Sequence, residues 1–231
     1  MTSAAAVEID AHAFSTRHSY LMLSAVVAGA LCHCSWPLAL TALASFSFWL
    51  LQLKAAPFDG GFGAANWVTS VRLVSLLLLA AWIDADMPFA AAALAWSIFA
   101  LDWLDGYLAR RNQSETTFGA LYDSEVDACF TLLLTWGVFM LDRAGAWVLI
   151  GGLLRYVYVL TLHLTGMHER EAPRSRLGRY VFGLSIGGYT LSLWPFSGTG
   201  ALLLSGAATL LLCYSFSRGF LWTLRAHRNQ A

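Results

Sequence analysis

The chain is built of apolar runs about as long as a bilayer is thick, joined by short polar or glycine-rich connections. Only helices and closed barrels satisfy every backbone hydrogen bond inside a membrane, and runs of this length favour helices. The expected fold is therefore an all-α, polytopic membrane helix bundle. Its eight helices are predicted at 19–34, 37–54, 66–83, 88–110, 118–141, 146–165, 179–194 and 199–217.

Composition supports a membrane protein. Of the 231 residues, 58% are hydrophobic and 12% are charged, whereas soluble domains average roughly 25% charged residues. This composition predicts a lipid bilayer as partner. The formal net charge is zero, which gives no sign of nucleic-acid binding, so we expect no nucleic acid as partner. Glu8, Asp10 and Arg17 precede the first apolar run, and we predict no cleavable signal.

Four aspartates are grouped in the stretch 102–127, DWLDGYLARRNQSETTFGALYDSEVD. Helical residues three or four positions apart share a face. Asp102 and Asp105 therefore share a face of one helix, and Asp123 and Asp127 share a face of the next. Two such helices joined by a polar turn would bring four carboxylates into one small volume.

A carboxylate cluster of this kind requires cations, because like charges at short range cannot all stay ionised. Oxygen ligands suit hard divalent ions such as Mg²⁺, Mn²⁺ or Ca²⁺. Two metal ions can hold a phosphoryl group, Arg110 can bind phosphate with two donors, and Gly106 and Gly119 leave room for a ligand. The residues predict a metal-dependent phosphoryl or phosphodiester transfer site. The alternative is a solvated helix face, but intramembrane ionisable residues are costly and mark functional sites.

The same stretch resembles the signature of the CDP-alcohol phosphotransferase family, D-x2-D-G-x2-A-R-x8-G-x3-D-x3-D. A weaker match to the family's N-x-x-T-x-x-R run lies at Asn66, Thr69 and Arg72. A third, Ser175–Arg179, is similar to S-x-x-G-K, with Arg179 where Lys is usual. The resemblance covers roughly residues 66–217. The positions that match the main signature are Asp102, Asp105, Gly106, Ala109, Arg110, Gly119, Asp123 and Asp127.

The resemblance divides the chain into four parts. Residues 66–217 would form the six-helix core of the family. Residues 19–65 would add an N-terminal transmembrane hairpin and a Gly-rich loop, which lacks the Lys-Ser/Thr of a P-loop. Residues 1–18 would be a cytoplasmic segment, either a short surface helix or a frayed end, and residues 218–231 a basic cytoplasmic tail.

The activity that the resemblance implies is phospholipid synthesis. A phosphatidyl or other substituted phosphoryl group would pass from a CDP-linked donor, such as CDP-diacylglycerol, to the hydroxyl of a small polar alcohol, with release of CMP. Two divalent cations, Mg²⁺ or Mn²⁺, would bind at Asp102, Asp105, Asp123 and Asp127, and Asp127 would also be the general base. The protein would be a homodimer. The donor would bind at Asn66, Thr69, Gly106, Ala109, Arg110 and Gly119, with Arg72 on the same helix stripe as Asn66 and Thr69.

Two further arginines suggest phosphate contacts. Arg155 lies near the middle of an apolar run, where a charge should face the protein interior. It could contact the acceptor or a phosphate, or it could form a structural pair with a carboxylate of the site. Arg179 ends the basic loop 170–179, which favours an acceptor that carries a phosphate.

The distribution of positive charge predicts the topology. With the N-terminus in the cytoplasm, Arg143 is the one cation placed on the outer side and Arg155 lies within the membrane. This follows the positive-inside rule. We expect a bacterial inner-membrane protein with its active site facing the cytoplasm.

Other functions are also compatible with parts of the pattern. A CDP-choline or CDP-ethanolamine enzyme would transfer to diacylglycerol instead. A transporter with an intramembrane cation site would be expected to show internal repeats, and none is evident. An aspartate-rich prenyltransferase lacks the D-G-x2-A-R core. Within the fifth core helix, Gly183 and Gly187 have the G-x-x-x-G spacing that favours close helix packing.

Overall fold

The computed structural model describes residues 3–52, 63–111, 117–167, 176–195 and 198–228. These residues form eight α-helices and no strand, which confirms the predicted all-α bundle. A 3₁₀ turn at Ala146–Val148 leads into the sixth helix. The helices are α1 (Ser3–Cys32), α2 (Trp36–Gln52), α3 (Ala64–Asp84), α4 (Pro88–Arg111), α5 (Thr117–Met140), α6 (Leu149–Leu164), α7 (Arg176–Ser192) and α8 (Thr199–Arg228).

The first and last helices extend beyond the expected apolar runs. Helix α1 begins at Ser3 and continues without a break into the run predicted to start at residue 19. Helix α8 passes residue 217 and ends at Arg228. Residues 3–18 contain no proline or glycine, and residues 218–228 of α8 contain a single glycine, Gly219, so nothing in the sequence stops either helix. The changes of composition near residues 18 and 217 are therefore not helix ends, while the division into domains stays a prediction.

Several helices have the length and composition of membrane spans. Helices α3 and α8 carry large apolar side chains that are exposed, among them Val74 and Leu210, and such side chains are suited to contact with lipid. Shorter apolar stretches occur in α2 and α4. The chain is an integral membrane protein. The three long apolar spans are Ala64–Asp84, Ala146–Leu164 and Thr199–Arg225.

Helix α5 lies at the centre of the bundle. Every residue from 128 to 138 is buried, and α5 contacts α1, α2, α3, α6 and α7. The indole of Trp136 is among the largest fully buried side chains. Between residues 128 and 138, α5 is therefore enclosed on all sides by the rest of the bundle.

A glycine sets the distance between α6 and α5. A Cβ atom at Gly152 would lie 2.7 Å from the Cα of Leu132 and 2.4 Å from Oγ1 of Thr135. Only a residue without a side chain permits this approach. The close contact places Arg155, three residues further along α6, beside α5.

The close packing predicted at Gly183 and Gly187 is wrong for those positions. A Cβ atom at either residue would have no described atom within 4 Å. The next glycine, Gly188, faces α8 instead, where its Cβ would lie 3.3 Å from the Cβ of Ala208. Helices α7 and α8 do pack together, but on a neighbouring face of α7.

The N-terminal hairpin, helices α1 and α2, is attached to the core at both ends. In the turn between the two helices, the backbone N–H of Ser35 donates to both carboxylate oxygens of Asp84, each at 2.8 Å. Asp84 is the last residue of α3. Toward the other end of the hairpin, the rings of Phe14 and Trp49 stack at 4.0 Å, and Trp49 also lies beside Phe118 of α5.

Candidate active site

Helices α3, α4 and α5 bring three of the four signature aspartates together. One carboxylate oxygen from each of Asp102, Asp123 and Asp127 lies within 4.8 Å of the other two. Asp102 comes from α4, and the other two lie one turn apart on α5. The side chain of Asp105 lies outside the described residues. The helix periodicity that predicted a shared carboxylate site thus places these three groups correctly.

The guanidinium group of Arg72 lies among these three carboxylates. Its Nη1 atom is 3.0 Å from Oδ1 of Asp102 and 2.7 Å from Oδ1 of Asp123. Its Nη2 atom pairs with Oδ1 of Asp127. Arg72 is fully buried, so α3 provides an internal cation for carboxylates from two other helices.

The two ends of this guanidinium divide the carboxylates into two sets. Nη1 contacts Asp102 and Asp123, whereas Nη2 contacts Asp127. The side chain of Asp127 is 17% exposed, compared with 27% for Asp102 and 37% for Asp123. Asp127 is therefore the deepest of the three carboxylates, and it pairs with a different nitrogen of Arg72 from the other two.

The site carries an excess of negative charge. Among the described side chains, three carboxylates and one guanidinium leave a formal surplus of two negative charges in a group of buried and half-buried residues. Carboxylate oxygens at this spacing are the ligands that hard divalent cations prefer. The residues present therefore fit a divalent metal ion, both in the kind of donor atom and in charge.

Hydroxyl groups hold α3 against α5 beside the aspartates. The hydroxyls of Ser70 and Tyr122 are 3.0 Å apart. Thr131, one turn beyond Asp127, donates to the Asp127 carbonyl oxygen at 2.7 Å. Tyr122 is fully buried, so this contact fixes α5 at the position that immediately precedes Asp123.

Three of the residues expected to bind the donor are described, and they lie at the end of α3 and α5 that holds the aspartates. Thr69 is buried on α3, and its hydroxyl donates to the Ala65 carbonyl oxygen at 3.1 Å. Asn66 and Gly119 are half-buried. Gly106, Ala109 and Arg110 belong to α4 and Arg179 belongs to α7, but their side-chain surroundings lie outside the described residues.

Arg155 forms an ion pair on the other side of α5. Its Nη2 atom is 2.8 Å from Oε1 of Glu125. Glu125 lies between Asp123 and Asp127 in sequence, but two residues along a helix correspond to a rotation of about 200°. The carboxylate that pairs with Arg155 therefore faces away from the three aspartates, and it was not among the predicted site residues.

The sequence analysis did not identify three polar residues that lie near the site. They are Glu125, which is fully buried, and Ser15 and His18 of α1, which are both buried. Glu125 had a visible signal, since it is a further acidic residue in an apolar helix. Ser15 and His18 had none, because they precede the first apolar run. Arg72 was noted only as part of a donor-binding stripe.

Comparison with known proteins agrees with this geometry. The family model for CDP-alcohol phosphatidyltransferases matches residues 62–217. A probable phosphatidylglycerophosphate synthase of Mycobacterium tuberculosis, strain H37Rv, is 33% identical over 156 residues, which is 64% of this chain and 75% of the relative. The same values hold for its counterpart in strain CDC 1551.

A shorter match comes from Pseudomonas fluorescens. A CDP-diacylglycerol–glycerol-3-phosphate 3-phosphatidyltransferase is 38% identical over 65 residues, which is 27% of this chain and 33% of the relative. No solved structure matches the chain. The matched segment, residues 62–217, covers more than half of the chain and contains Arg72 and all four signature aspartates. The chain therefore belongs to the CDP-alcohol phosphatidyltransferase family, whose members are transferases of substituted phosphate groups.

Proposed function

We propose that this protein transfers the phosphatidyl group of CDP-diacylglycerol to a hydroxyl of glycerol 3-phosphate and releases CMP. The observation that carries the proposal is the group of three aspartates around Arg72, which lies inside the family-matched segment. The relatives named as phosphatidylglycerophosphate synthase and as CDP-diacylglycerol–glycerol-3-phosphate 3-phosphatidyltransferase support this choice of donor and acceptor.

Asp102, Asp105, Asp123 and Asp127 would hold two divalent cations, Mg²⁺ or Mn²⁺. Bound ions of this kind stabilise charge on the attacking and leaving oxygens of a phosphoryl transfer. The surplus of negative charge among the described carboxylates supports this assignment. Arg72 would fix the positions of the carboxylates relative to one another, because it contacts Asp102, Asp123 and Asp127 at once.

Asp127 would be the general base. It would accept the proton of the acceptor hydroxyl, and that oxygen would then bond to the phosphorus that bears diacylglycerol. The bond between this phosphorus and the oxygen bridging to CMP would break, and CMP would leave with that oxygen. The depth of Asp127 and its separate contact with Nη2 of Arg72 support a role distinct from that of Asp102 and Asp123.

The substrates would bind on the two sides of this base. Asn66, Thr69 and Gly119 would contact the donor nucleotide together with Gly106, Ala109 and Arg110 of α4. Arg155 and Arg179 would contact the phosphate of the acceptor. Arg155 is 15% exposed, so a phosphate can reach its guanidinium, and its Nη2 atom pairs with Glu125.

The end of the bundle that holds the aspartates would face the cytoplasm of a bacterium. Helix α3 begins, α4 ends and α5 begins at this end, and the positive-inside pattern of the sequence supports a cytoplasmic location for it. We also propose that the enzyme resides in the inner membrane and that it is a homodimer, as the family resemblance implies.

The test is CMP release by the purified protein in mixed micelles that contain CDP-diacylglycerol, glycerol 3-phosphate and Mg²⁺ or Mn²⁺. The lipid product is identified by mass. Asp127→Asn should abolish turnover and keep most of the CDP-diacylglycerol binding, since it removes the base and leaves the other carboxylates in place. Asp142→Asn is the matched control, because Asp142 is exposed at the opposite end of α5 and should leave turnover unchanged.

Three results would contradict the proposal. Release of CMP from CDP-choline with diacylglycerol, but not from CDP-diacylglycerol, would reverse the roles of donor and acceptor. Turnover with an alcohol that lacks a phosphate, but not with glycerol 3-phosphate, would replace the acceptor. Equal losses of donor binding and turnover in Asp127→Asn would exclude the base role.

A further inference from the structure

Helix α1 inserts polar side chains into the catalytic core, although it lies outside the family-matched segment. The hydroxyl of Ser15 donates to Oε1 of Glu125 at 2.6 Å. Ser15 is 3% exposed and Glu125 is fully buried. This contact joins residues 110 positions apart in sequence, so the N-terminal hairpin touches α5 directly at Glu125, on the helix face opposite the two aspartates of the active site.

Ser15 and Arg155 share one acceptor atom. Nη2 of Arg155 donates to the same Oε1 atom of Glu125 at 2.8 Å. The other carboxylate oxygen, Oε2, is buried and has no hydrogen-bond partner among the described residues. Oε1 therefore receives the two donors that fix this carboxylate, one from α1 and one from α6.

We propose that Ser15 is a positioning residue for Arg155. It acts through Glu125 and sets how tightly the Arg155 guanidinium is drawn toward α5. The inference rests on the proposed function, in which Arg155 contacts the phosphate of the acceptor. If Ser15 has this role, the N-terminal hairpin contributes to the acceptor site and is not only a membrane anchor.

The direction of the effect follows from charge. A hydroxyl that donates to a carboxylate takes up part of the oxygen's capacity to accept hydrogen bonds. Without the Ser15 hydroxyl, Arg155 is the remaining donor described at Oε1, and it is held more strongly in a medium of low dielectric constant. A guanidinium held in this way is less able to turn toward a phosphate, so the acceptor should bind more weakly.

Two contacts of a neighbouring residue, His18, hold Ser15 in position. His18, one turn further along α1, lies 3.3 Å through Nε2 from Sγ of Cys129 on α5 and 2.7 Å through Nδ1 from the hydroxyl of Ser45 on α2. His18 is fully buried. Helix α1 is thus fixed against α5 and α2 near Ser15, and the Ser15 hydroxyl has a defined position from which to act.

The experiment measures KM for glycerol 3-phosphate, KM for CDP-diacylglycerol and kcat in the full-length protein. Ser15→Ala should raise KM for glycerol 3-phosphate by about tenfold, which corresponds to about 1.4 kcal/mol. KM for CDP-diacylglycerol should change less than twofold, and Ser15→Thr should restore the wild-type value. If the alanine variant does not fold, Ser15→Cys replaces the hydroxyl with a weaker donor and should give a smaller shift in the same direction.

Ser19→Ala is the matched control. Ser19 is fully buried on the same helix, but its hydroxyl donates to the backbone carbonyl of Ser15 at 2.8 Å and not to Glu125. It should leave KM for glycerol 3-phosphate unchanged. In an Arg155→Lys background, Ser15→Ala should add little, because the group through which it acts has been altered.

Two failures can be told apart. If the wild-type protein does not turn over glycerol 3-phosphate, the proposed function fails and this inference fails with it. If the wild type is active but Ser15→Ala and Ser19→Ala behave alike, only the positioning role is overturned. Equal changes in the KM values of both substrates, or full additivity with Arg155→Lys, would also overturn it.

Discussion

Replacing Arg72 by methionine tests whether this arginine is the internal cation of the aspartate group. Methionine keeps a long side chain at this position, but the substitution removes a fully buried charge that contacts Asp102, Asp123 and Asp127. The three carboxylates would then lie within 4.8 Å of one another without that cation. Their mutual repulsion should destabilise the folded state.

The size of the effect can be bounded from the exposure of the carboxylates. Removing one partner of a buried ion pair costs about 3–5 kcal/mol. The carboxylates are 17–37% exposed, and water screens them partly, so we take the lower end, about 3 kcal/mol. At about 2–4 °C per kcal/mol for a chain of this size, Tm in the presence of a chelator should fall by about 6–12 °C.

Adding Mg²⁺ should reverse most of this loss. A ligand present at a hundredfold excess over its Kd stabilises the protein that binds it by about 2.7 kcal/mol. The rise in Tm on adding Mg²⁺ should be larger in Arg72→Met than in the wild type, because the variant has one positive charge fewer beside the carboxylates.

The assay is thermal unfolding in detergent, with EDTA and with Mg²⁺. Arg143→Met is the control. Arg143 is half-buried beyond the far end of α5 and donates to the Pro195 carbonyl oxygen at 3.4 Å, so its loss should change stability little in either condition. A Tm for Arg72→Met in EDTA equal to that of the wild type, or a response to Mg²⁺ no larger than that of the wild type, would refute the reasoning.

Two further substitutions test the packing that supports the site. Gly152→Ala should lower the free energy of unfolding by about 1–3 kcal/mol in a denaturation assay, since its Cβ would lie 2.7 Å from a backbone atom of α5. Gly183→Ala is the control, because its Cβ meets no described atom within 4 Å. It should have little effect in the same assay. Asp84→Asn should cost about 1 kcal/mol by thermal melting, because the Ser35 N–H loses a charged acceptor; Asp86→Asn, at an exposed position, should not.

The helical fold could be predicted because the apolar runs leave few alternatives. A segment such as 66–83 is apolar for long enough to span a bilayer, and α3 covers it as Ala64–Asp84. The start of α1 could not be predicted in the same way. Residues 3–18 are too polar to resemble a membrane span, yet nothing in them ends a helix, so the helix continues through them.

The sequence predicted which face of its own helix each site residue occupies, but not which residues of other helices it contacts. Periodicity placed Asp123 and Asp127 on one stripe of α5, and the structure has both in contact with Arg72. The same reasoning put Arg72 on a stripe of α3 without showing which groups that stripe would meet. A single sequence fixes the angle of a residue around its own helix, whereas its neighbours depend on how the helices pack.

The arrangement of α5 explains why two arginines pair with it rather than one. This central helix carries carboxylates on opposite faces within five residues, Asp123 and Asp127 toward Arg72 and Glu125 toward Arg155. An unpaired carboxylate on either face would lie in a bundle interior where charge is costly. Because Arg72 belongs to α3 and Arg155 to α6, each pairing also fixes one neighbouring helix against α5. The arginines that pair with this stretch of α5 are therefore the same groups that set where its aspartates lie.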